Sequence, residues 1–279
     1  MLVNRKNTSE GSTVLERLNI QKNTGSTKLF TPNTILILYL FGIILAETLT
    51  TLSNPMVGVI CHAVILTGLF MHSALTSSQT YRRILVTLSL APLIRIISLS
   101  LPLQDYIFSY WYMLVGAPLF LSAILVARNA DLRPAEIGLN FSKWPLQILF
   151  GVVGIGLGYV EYQILRPQPL SNALTLEQIW LPGLILVIFT GLLEEVIFRG
   201  LMQKAFVDGL GRFKGVLFVS IVFAVLHVGY QSALDVLFVF GVALLFGFIA
   251  LRSRSILGVT LAHGLTNFSL FLVYPFLFP

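Results

Sequence analysis

The stretch "GLLEEVIFRG", residues 191–200, places two adjacent carboxylates and an arginine inside a long apolar run. Such a run is typical of a membrane helix, in which charged side chains are costly and usually functional. Residues four apart share a helix face, so Glu195 and Arg199 are predicted neighbours. Glu194 is turned about 100° away from Glu195. We therefore expect an ion pair between Glu195 and Arg199, and a Glu194 carboxylate that remains free for chemistry.

The composition of the whole chain indicates a multi-pass membrane protein. Of its 279 residues, 56% are hydrophobic and 11% are charged, whereas a soluble domain carries about 25% charged residues. Apolar runs of bilayer-spanning length, about 17–25 residues, follow one another after residue 33. The sequence therefore predicts an all-α, polytopic membrane helix bundle with nine transmembrane spans. The predicted spans are 34–50, 56–78, 84–101, 106–127, 145–165, 179–203, 215–231, 234–251 and 256–278.

The basic residues predict how these spans are oriented. All but three of the 18 Lys and Arg residues fall on one side of the spans; Arg166 lies on the other side, and Arg95 and Arg199 lie within spans. Because loops rich in Lys and Arg stay in the cytoplasm, the N-terminus is predicted to be cytoplasmic. The net charge of +6 is thus explained by topology, and no nucleic-acid partner is predicted.

Polar segments divide the chain into four predicted parts. All residues with candidate chemistry fall in the last part, residues 145–279. No internal repeat of the kind found in many transporters is visible. The glycines of "GVVGIGLG", residues 151–158, lack the lysine of a phosphate-binding loop and suit close helix packing instead. The parts are a flexible cytoplasmic tail (1–33), a four-span membrane part (34–127), a cytoplasmic loop (128–144) and a five-span core (145–279).

Four polar side chains of the five-span core reach a similar predicted depth. Measured along the helix axis from the nearest cytoplasmic basic residue, Glu194 lies about 15 Å deep, His227 about 20 Å, His263 about 14 Å and Asn267 about 20 Å. A carboxylate and a histidine can hold and deprotonate a water molecule. A second histidine and an amide are donors suited to an oxyanion. The set therefore fits hydrolysis of an amide by activated water, without a serine or cysteine nucleophile.

Three short motifs carry these residues: "EEVIFR" at 194–199, "FAVLH" at 223–227 and "HGLTN" at 263–267. Their patterns EExxxR, FxxxH and HxxxN, in this order on membrane helices, resemble the CPBP family. This family groups type II CAAX prenyl proteases of the Ras-converting-enzyme type with bacteriocin-processing enzymes, formerly called Abi proteins. The resemblance covers roughly residues 145–279.

The resemblance implies an intramembrane endopeptidase of the glutamate type or the metallo type. It implies that Glu194 and His227 position the attacking water and that His263 and Asn267 stabilise the oxyanion. Two mechanisms stay open: one that requires no cofactor, and one with a divalent metal such as zinc. In the second, Glu194, His227 and His263 are the expected ligands, because one carboxylate and two histidines form a catalytic zinc set.

The resemblance also implies supporting residues and partners. Glu195 and Arg199 are expected to support the site, and Phe223 is expected to shape it by packing. The expected partners are membrane lipid and a peptide or membrane-protein substrate, with or without a prenylated C-terminus. We expect the protein in the plasma membrane of the cell.

Two other classes of function fit some of the same features. A noncatalytic membrane scaffold, or an immunity or partner-binding protein with a protease-like fold, would retain the bundle without needing the complete motifs. An ion-coupled transporter would use carboxylates and histidines as a relay, but would usually show broken helices in both halves. The completeness of the three motifs favours the protease.

Several polar residues outside the motifs lie within predicted spans. Arg95 is expected to pair with a carboxylate or to face the bundle interior. Glu47, Glu161 and Asp235 lie near predicted external ends and are expected at the membrane interface. His62 is expected in a packing or interface position.

Overall fold

The computed structural model describes residues 32–101 and 108–279. Every regular element in this part is helical and no strand occurs there, which confirms the all-α prediction. Contacts divide the chain into two units, and Leu38–Pro279 is the compact unit that holds all the residues discussed below. Met1–Ile37 is the other unit, and most of it, with nearly all of the predicted tail, lies outside the described residues.

The described residues contain nine helices that are long and apolar enough to cross a membrane, as the sequence predicts. Each predicted span overlaps one of them, so the chain has the architecture of a multi-pass membrane protein. Orientation is not determined by this result, and the cytoplasmic N-terminus stays a prediction. The helices are α1 (Pro32–Leu52), α2 (Pro55–Leu75), α3 (Gln79–Ser100), α4 (Phe108–Asn129), α5 (Trp144–Leu165), α6 (Leu176–Leu210), α7 (Arg212–Tyr230), α8 (Ala233–Ser253) and α9 (Leu257–Leu277).

Helix α3 is interrupted near its middle, and its sequence explains the break. Its first stretch ends at Leu88 and its second begins at Leu90. Pro92 has no backbone N–H to offer to the carbonyl of Leu88, four residues earlier, so the regular ladder fails at this point. Ser89 occupies the junction, where its hydroxyl donates to the carbonyl of Val86 at 2.7 Å.

Helix α9 packs closely against α5 and α6 through glycines. A Cβ atom added at Gly154 of α5 would lie 2.0 Å from the carbonyl oxygen of Ala262, and one at Gly158 would lie 2.6 Å from that of Thr266. On the α6 side, a Cβ atom at Gly191 would lie 2.9 Å from the backbone nitrogen of Gly264. Three of the four glycines in the 151–158 stretch therefore serve packing against α9, as the sequence predicts, and Gly191 does the same on the α6 side.

Helix α6 departs from regular α-helix on both sides of its glutamate pair. Two π-helical stretches, Val187–Leu192 and Val196–Met202, flank the short α-helical segment Leu193–Glu195. A third π-helical stretch, Ser269–Val273, follows the last motif on α9. Such wide turns inside α-helices occur frequently at functional sites. The backbone is therefore irregular next to the candidate residues of both helices.

Three carboxylates that were expected at the membrane interface are buried within the protein. Glu47 and Asp235 are fully buried, and Glu161 is 8% exposed. The sequence does not indicate this burial, because a residue's place along a span indicates its depth, but not whether it faces lipid or neighbouring helices. Glu47 faces Arg95 and His62, so His62 is also more than a packing residue.

Candidate active site

Glu194 and Glu195 lie next to each other on α6 but in different surroundings. Glu195 is fully buried, and its Oε1 accepts a hydrogen bond from Arg199 Nη1 at 3.1 Å. This is the ion pair that the four-residue spacing predicts. The Glu194 side chain is 29% exposed and lines two cavities. One carboxylate is thus occupied by a cation, and the other faces open space.

Glu195 has a second partner, which its spacing along the chain does not indicate. Nδ1 of His263 lies 2.9 Å from Glu195 Oε1, the same oxygen that binds Arg199. A carboxylate only accepts hydrogen bonds, so Nδ1 of His263 donates here. The other ring nitrogen, Nε2, lies 3.9 Å from Glu194 Oε2. The His263 ring therefore lies between the two carboxylates.

Phe223 packs against the ion pair. The guanidinium carbon of Arg199 lies 4.3 Å from the centroid of the Phe223 ring and 5.9 Å from that of Phe246. Phe198 meets Phe223 edge-on, with ring centroids 4.8 Å apart. A desolvated cation over an aromatic face is stabilised by the quadrupole of the ring. The aromatic rings thus help to shield Arg199, which is 5% exposed, from solvent.

His227 lies two residues after the regular part of α7, which ends at Val225. Its Nδ1 lies 2.9 Å from the carbonyl oxygen of Phe223, and its ring centroid lies 4.8 Å from the Phe223 ring. Because a carbonyl only accepts, Nδ1 carries the proton, and Nε2 of the neutral ring has a lone pair available. His227 lines both cavities together with Glu194.

Asn267 is held by a residue of α6. Its Nδ2 donates to the hydroxyl of Thr190 at 2.8 Å. The Thr190 hydroxyl in turn donates to the carbonyl oxygen of Leu186. An amide nitrogen has two hydrogens, so one N–H of Asn267 remains after the bond to Thr190. Thr190 is buried, and it lies four residues before Glu194.

Two cavities meet at this site. The small cavity, about 80 Å³, is lined by Glu194, His227, His263 and Asn267 from α6, α7 and α9. The large cavity, about 390 Å³, lies between α3, α4, α6 and α7 and has mainly apolar walls. The residues that line both are Tyr112, Thr190, Glu194, His227 and Tyr230.

The structure thus brings together all four side chains predicted to be catalytic. Sequence reasoning missed Thr190, although its position four residues before Glu194 puts it on the same helix face. It also missed Glu161, which lines the small cavity from α5. Tyr112 and Tyr230 carry no motif that would have singled them out.

The residues expected to bind a metal have suitable chemistry but an unsuitable arrangement. Their chemistry suits zinc. The hydrogen bond from His263 Nδ1 to Glu195 is also of the kind by which a carboxylate orients many metal-binding histidines. Their arrangement does not suit it: among residues 32–101 and 108–279, no three His, Cys, Asp or Glu side chains are placed to hold one ion. We therefore derive no catalytic step from a metal.

Comparisons with known proteins support the resemblance that the motifs indicate. No curated protein and no solved structure matches the chain. A family model does match, and the matched segment contains all seven residues assigned catalytic or supporting roles. Residues 176–269 match the model described as type II CAAX prenyl endopeptidase Rce1-like, in agreement with the family that the three motifs resemble.

Proposed function

We propose that the chain is an intramembrane endopeptidase that hydrolyses peptide bonds with a water molecule activated by Glu194 and His227. The family match supports a CAAX-type intramembrane protease in general. The observation that carries the specific mechanism is the difference between the two glutamates. Glu195 is occupied by Arg199 and His263, whereas Glu194 faces the small cavity beside His227.

In the proposed first step, Glu194 and the free Nε2 of His227 accept hydrogen bonds from the attacking water. Glu194 takes one proton as the water oxygen attacks the carbonyl carbon of the substrate. Proton transfer to a positioned base of this kind contributes typically about 10²–10⁴-fold in rate. The bond from His227 Nδ1 to the Phe223 carbonyl supports this role, because it leaves Nε2 as the acceptor.

The negative charge on the carbonyl oxygen is stabilised by His263 and Asn267. Nδ1 of His263 already donates to Glu195, so Nε2 donates to the oxyanion when the ring is an imidazolium. Glu194 holds the transferred proton at this stage, so the charges of Glu195, Arg199, His263 and the oxyanion sum to zero, which suits a buried site. Asn267 supplies its second amide hydrogen. Fixed donors of this kind act where charge develops in the transition state.

The tetrahedral intermediate then collapses to products. The bond between carbon and nitrogen breaks, and the proton held by Glu194 passes to the leaving amine. One water molecule is consumed, and a carboxylic acid and an amine are released. No covalent intermediate with the protein and no cofactor enters this scheme.

The large cavity supports an apolar substrate. Ile94, Trp111, Val115, Phe189 and Phe198 are among its lining residues, and an apolar cavity binds apolar groups by removing their surface from water. The family match implies a peptide or protein substrate. We propose that a membrane peptide, with or without a prenylated C-terminus, binds here with its scissile bond at Glu194. We also propose the plasma membrane as the location of the reaction.

Cleavage of a fluorogenic peptide panel in liposomes tests this function. The panel contains prenylated C-terminal peptides and unmodified membrane peptides. We expect wild type to cleave at least one peptide and Glu194→Gln to lose at least 10³-fold in kcat, because the amide cannot accept the proton. The matched control is Glu177→Gln, an exposed residue at the start of α6, which should leave the rate unchanged. Equal rates for wild type and Glu194→Gln would contradict the mechanism, and loss of activity with a chelator would contradict its metal-free form.

A further inference from the structure

A cluster of charged and polar side chains lies in the first three helices, outside the segment that matches the family. Arg95 of α3 donates from Nε to Glu47 Oε1 of α1 at 2.6 Å. His62 Nε2 of α2 lies 3.1 Å from the same carboxylate oxygen. Glu47 and His62 are fully buried. Burying a charge is costly unless it is paired, so the ion pair with Glu47 anchors Arg95 between the helices.

Arg95 also reaches the turn that carries His227. Its Nη2 donates to the carbonyl oxygen of Leu226, the residue directly before His227. The regular part of α7 ends at Val225, and the last carbonyls of a helix receive no hydrogen bond from an N–H group within the helix. A cation at this end is also favoured by the helix dipole. Arg95 therefore satisfies a backbone group that the helix itself leaves open.

The remainder of the Arg95 side chain lies on the wall of the large cavity. It is 18% exposed and lines this cavity together with Glu194 and His227. The Arg95 guanidinium thus contacts two groups: the buried Glu47 carboxylate, and the Leu226 carbonyl beside a candidate catalytic histidine. A simple packing ion pair between α1 and α3 would not require the second contact.

We propose that Arg95 is a positioning residue for the reaction. Held by Glu47, it fixes the Leu226 carbonyl and with it the turn that directs Nε2 of His227 toward the water beside Glu194. This inference rests on the proposed function. It gives the first helices of the chain, which carry no family motif, a specific part in the activity of the Rce1-like segment.

Steady-state kinetics provide the first test. We expect Arg95→Met to lower kcat at least tenfold and to change KM by less than twofold, because the turn moves while the cavity keeps its volume. Arg95→Lys should recover part of kcat, since an ammonium can reach one of the two acceptors but cannot bridge them as the guanidinium does. Arg82→Met is the matched control on the same helix. The Arg82 guanidinium donates to Asn129 at the exposed end of α3, and Arg82 does not line either cavity, so kcat of this variant should be unchanged.

Imidazole ¹⁵N NMR in detergent micelles provides a readout that does not depend on cleavage. The chain has four histidines, and His227→Asn identifies the signal of His227. We expect the wild-type signal to show one tautomer with the proton on Nδ1, and the Arg95→Met signal to show averaged tautomers. Glu47→Gln keeps the volume of the cluster and weakens the anchor, so it should change both readouts in the same direction if Arg95→Met fails to fold.

The outcomes separate this inference from the proposed function. If wild type shows no Glu194-dependent cleavage but Arg95→Met alters the His227 signal, the proposed function fails and the positioning contact stands. If wild type cleaves and Arg95→Met retains both kcat and the His227 signal, the inference is overturned. A raised KM with unchanged kcat would also overturn it, because Arg95 would then act on substrate binding.

Discussion

The hydroxyl of Thr190 connects two helices of the candidate site. It accepts from Asn267 Nδ2 at 2.8 Å and donates to the carbonyl of Leu186. Because its own hydrogen is committed to Leu186, its oxygen faces Asn267 as an acceptor. This fixes one amide hydrogen of Asn267 and determines where the second one points. Thr190 thus acts on the proposed oxyanion through Asn267.

Replacement of Thr190 by valine tests this arrangement. Thr190→Val keeps the shape of the side chain but removes the acceptor, so the Asn267 amide is free to rotate. We expect kcat to fall about tenfold, which corresponds to about 1.4 kcal/mol, with little change in KM. Thr190→Ser retains the hydroxyl and should keep most of the rate. If the valine and serine variants have equal kcat in the liposome assay, Asn267 is not oriented by this bond.

The contact between α5 and α9 positions two of the candidate residues. Helix α9 carries His263 and Asn267, and it approaches α5 so closely that Gly154 has no room for a side chain. Gly156, two residues further along α5, has no atom within 4 Å of an added Cβ. The same helix therefore offers one glycine required by packing and one that is exposed.

Alanine substitutions at these two glycines should have opposite effects. Gly154→Ala forces α9 away from α5, and overpacking of this kind costs about 1–3 kcal/mol of unfolding free energy. The shift also displaces His263, so we expect slower cleavage. Gly156→Ala should be neutral or stabilising by about 0.5–1 kcal/mol, because alanine favours the helix. Thermal unfolding in detergent measures both, and equal stabilities would refute the packing role of Gly154.

Over the whole molecule, the charge distribution predicts one orientation in the membrane. The loop of residues 128–144 belongs to the basic side, whereas the connection between α5 and α6 carries Arg166 alone. Positive loops are retained in the cytoplasm.

The large cavity is lined by α3 and α4 as well as by α6 and α7, so both parts of the predicted four-span and five-span division form its walls.

Cysteine labelling in intact cells checks this orientation. Cys61 is the only cysteine, so Cys61→Ala provides a background for single replacements. In that background, Gln168→Cys should react with a membrane-impermeant maleimide, because its loop is predicted to be external. Ser142→Cys should react only after the cells are permeabilised. Both positions are exposed, and the reverse pattern would show that the orientation is wrong.

The sequence by itself determined the spans and the candidate residues. Apolar runs separated by charged loops predicted nine helices, because each span must satisfy its backbone within lipid. Four-residue spacing predicted the pair of Glu195 and Arg199, because helix geometry makes such residues neighbours. Both inferences rest on local rules, which act within one helix and need no knowledge of how helices pack.

The tertiary structure alone decided the contacts between helices. Glu195 and His263 are 68 residues apart, and Arg95 and Glu47 are 48 apart, so no helical period relates them. The depth of a residue within its span gives a partial indication of the pair of Arg95 and Glu47, since the two lie at similar distances from the starts of α3 and α1. Depth does not specify which helices are neighbours or which face each one buries. The second partner of Glu195, the anchor of His227 and the shared wall of the cavities all depend on that packing.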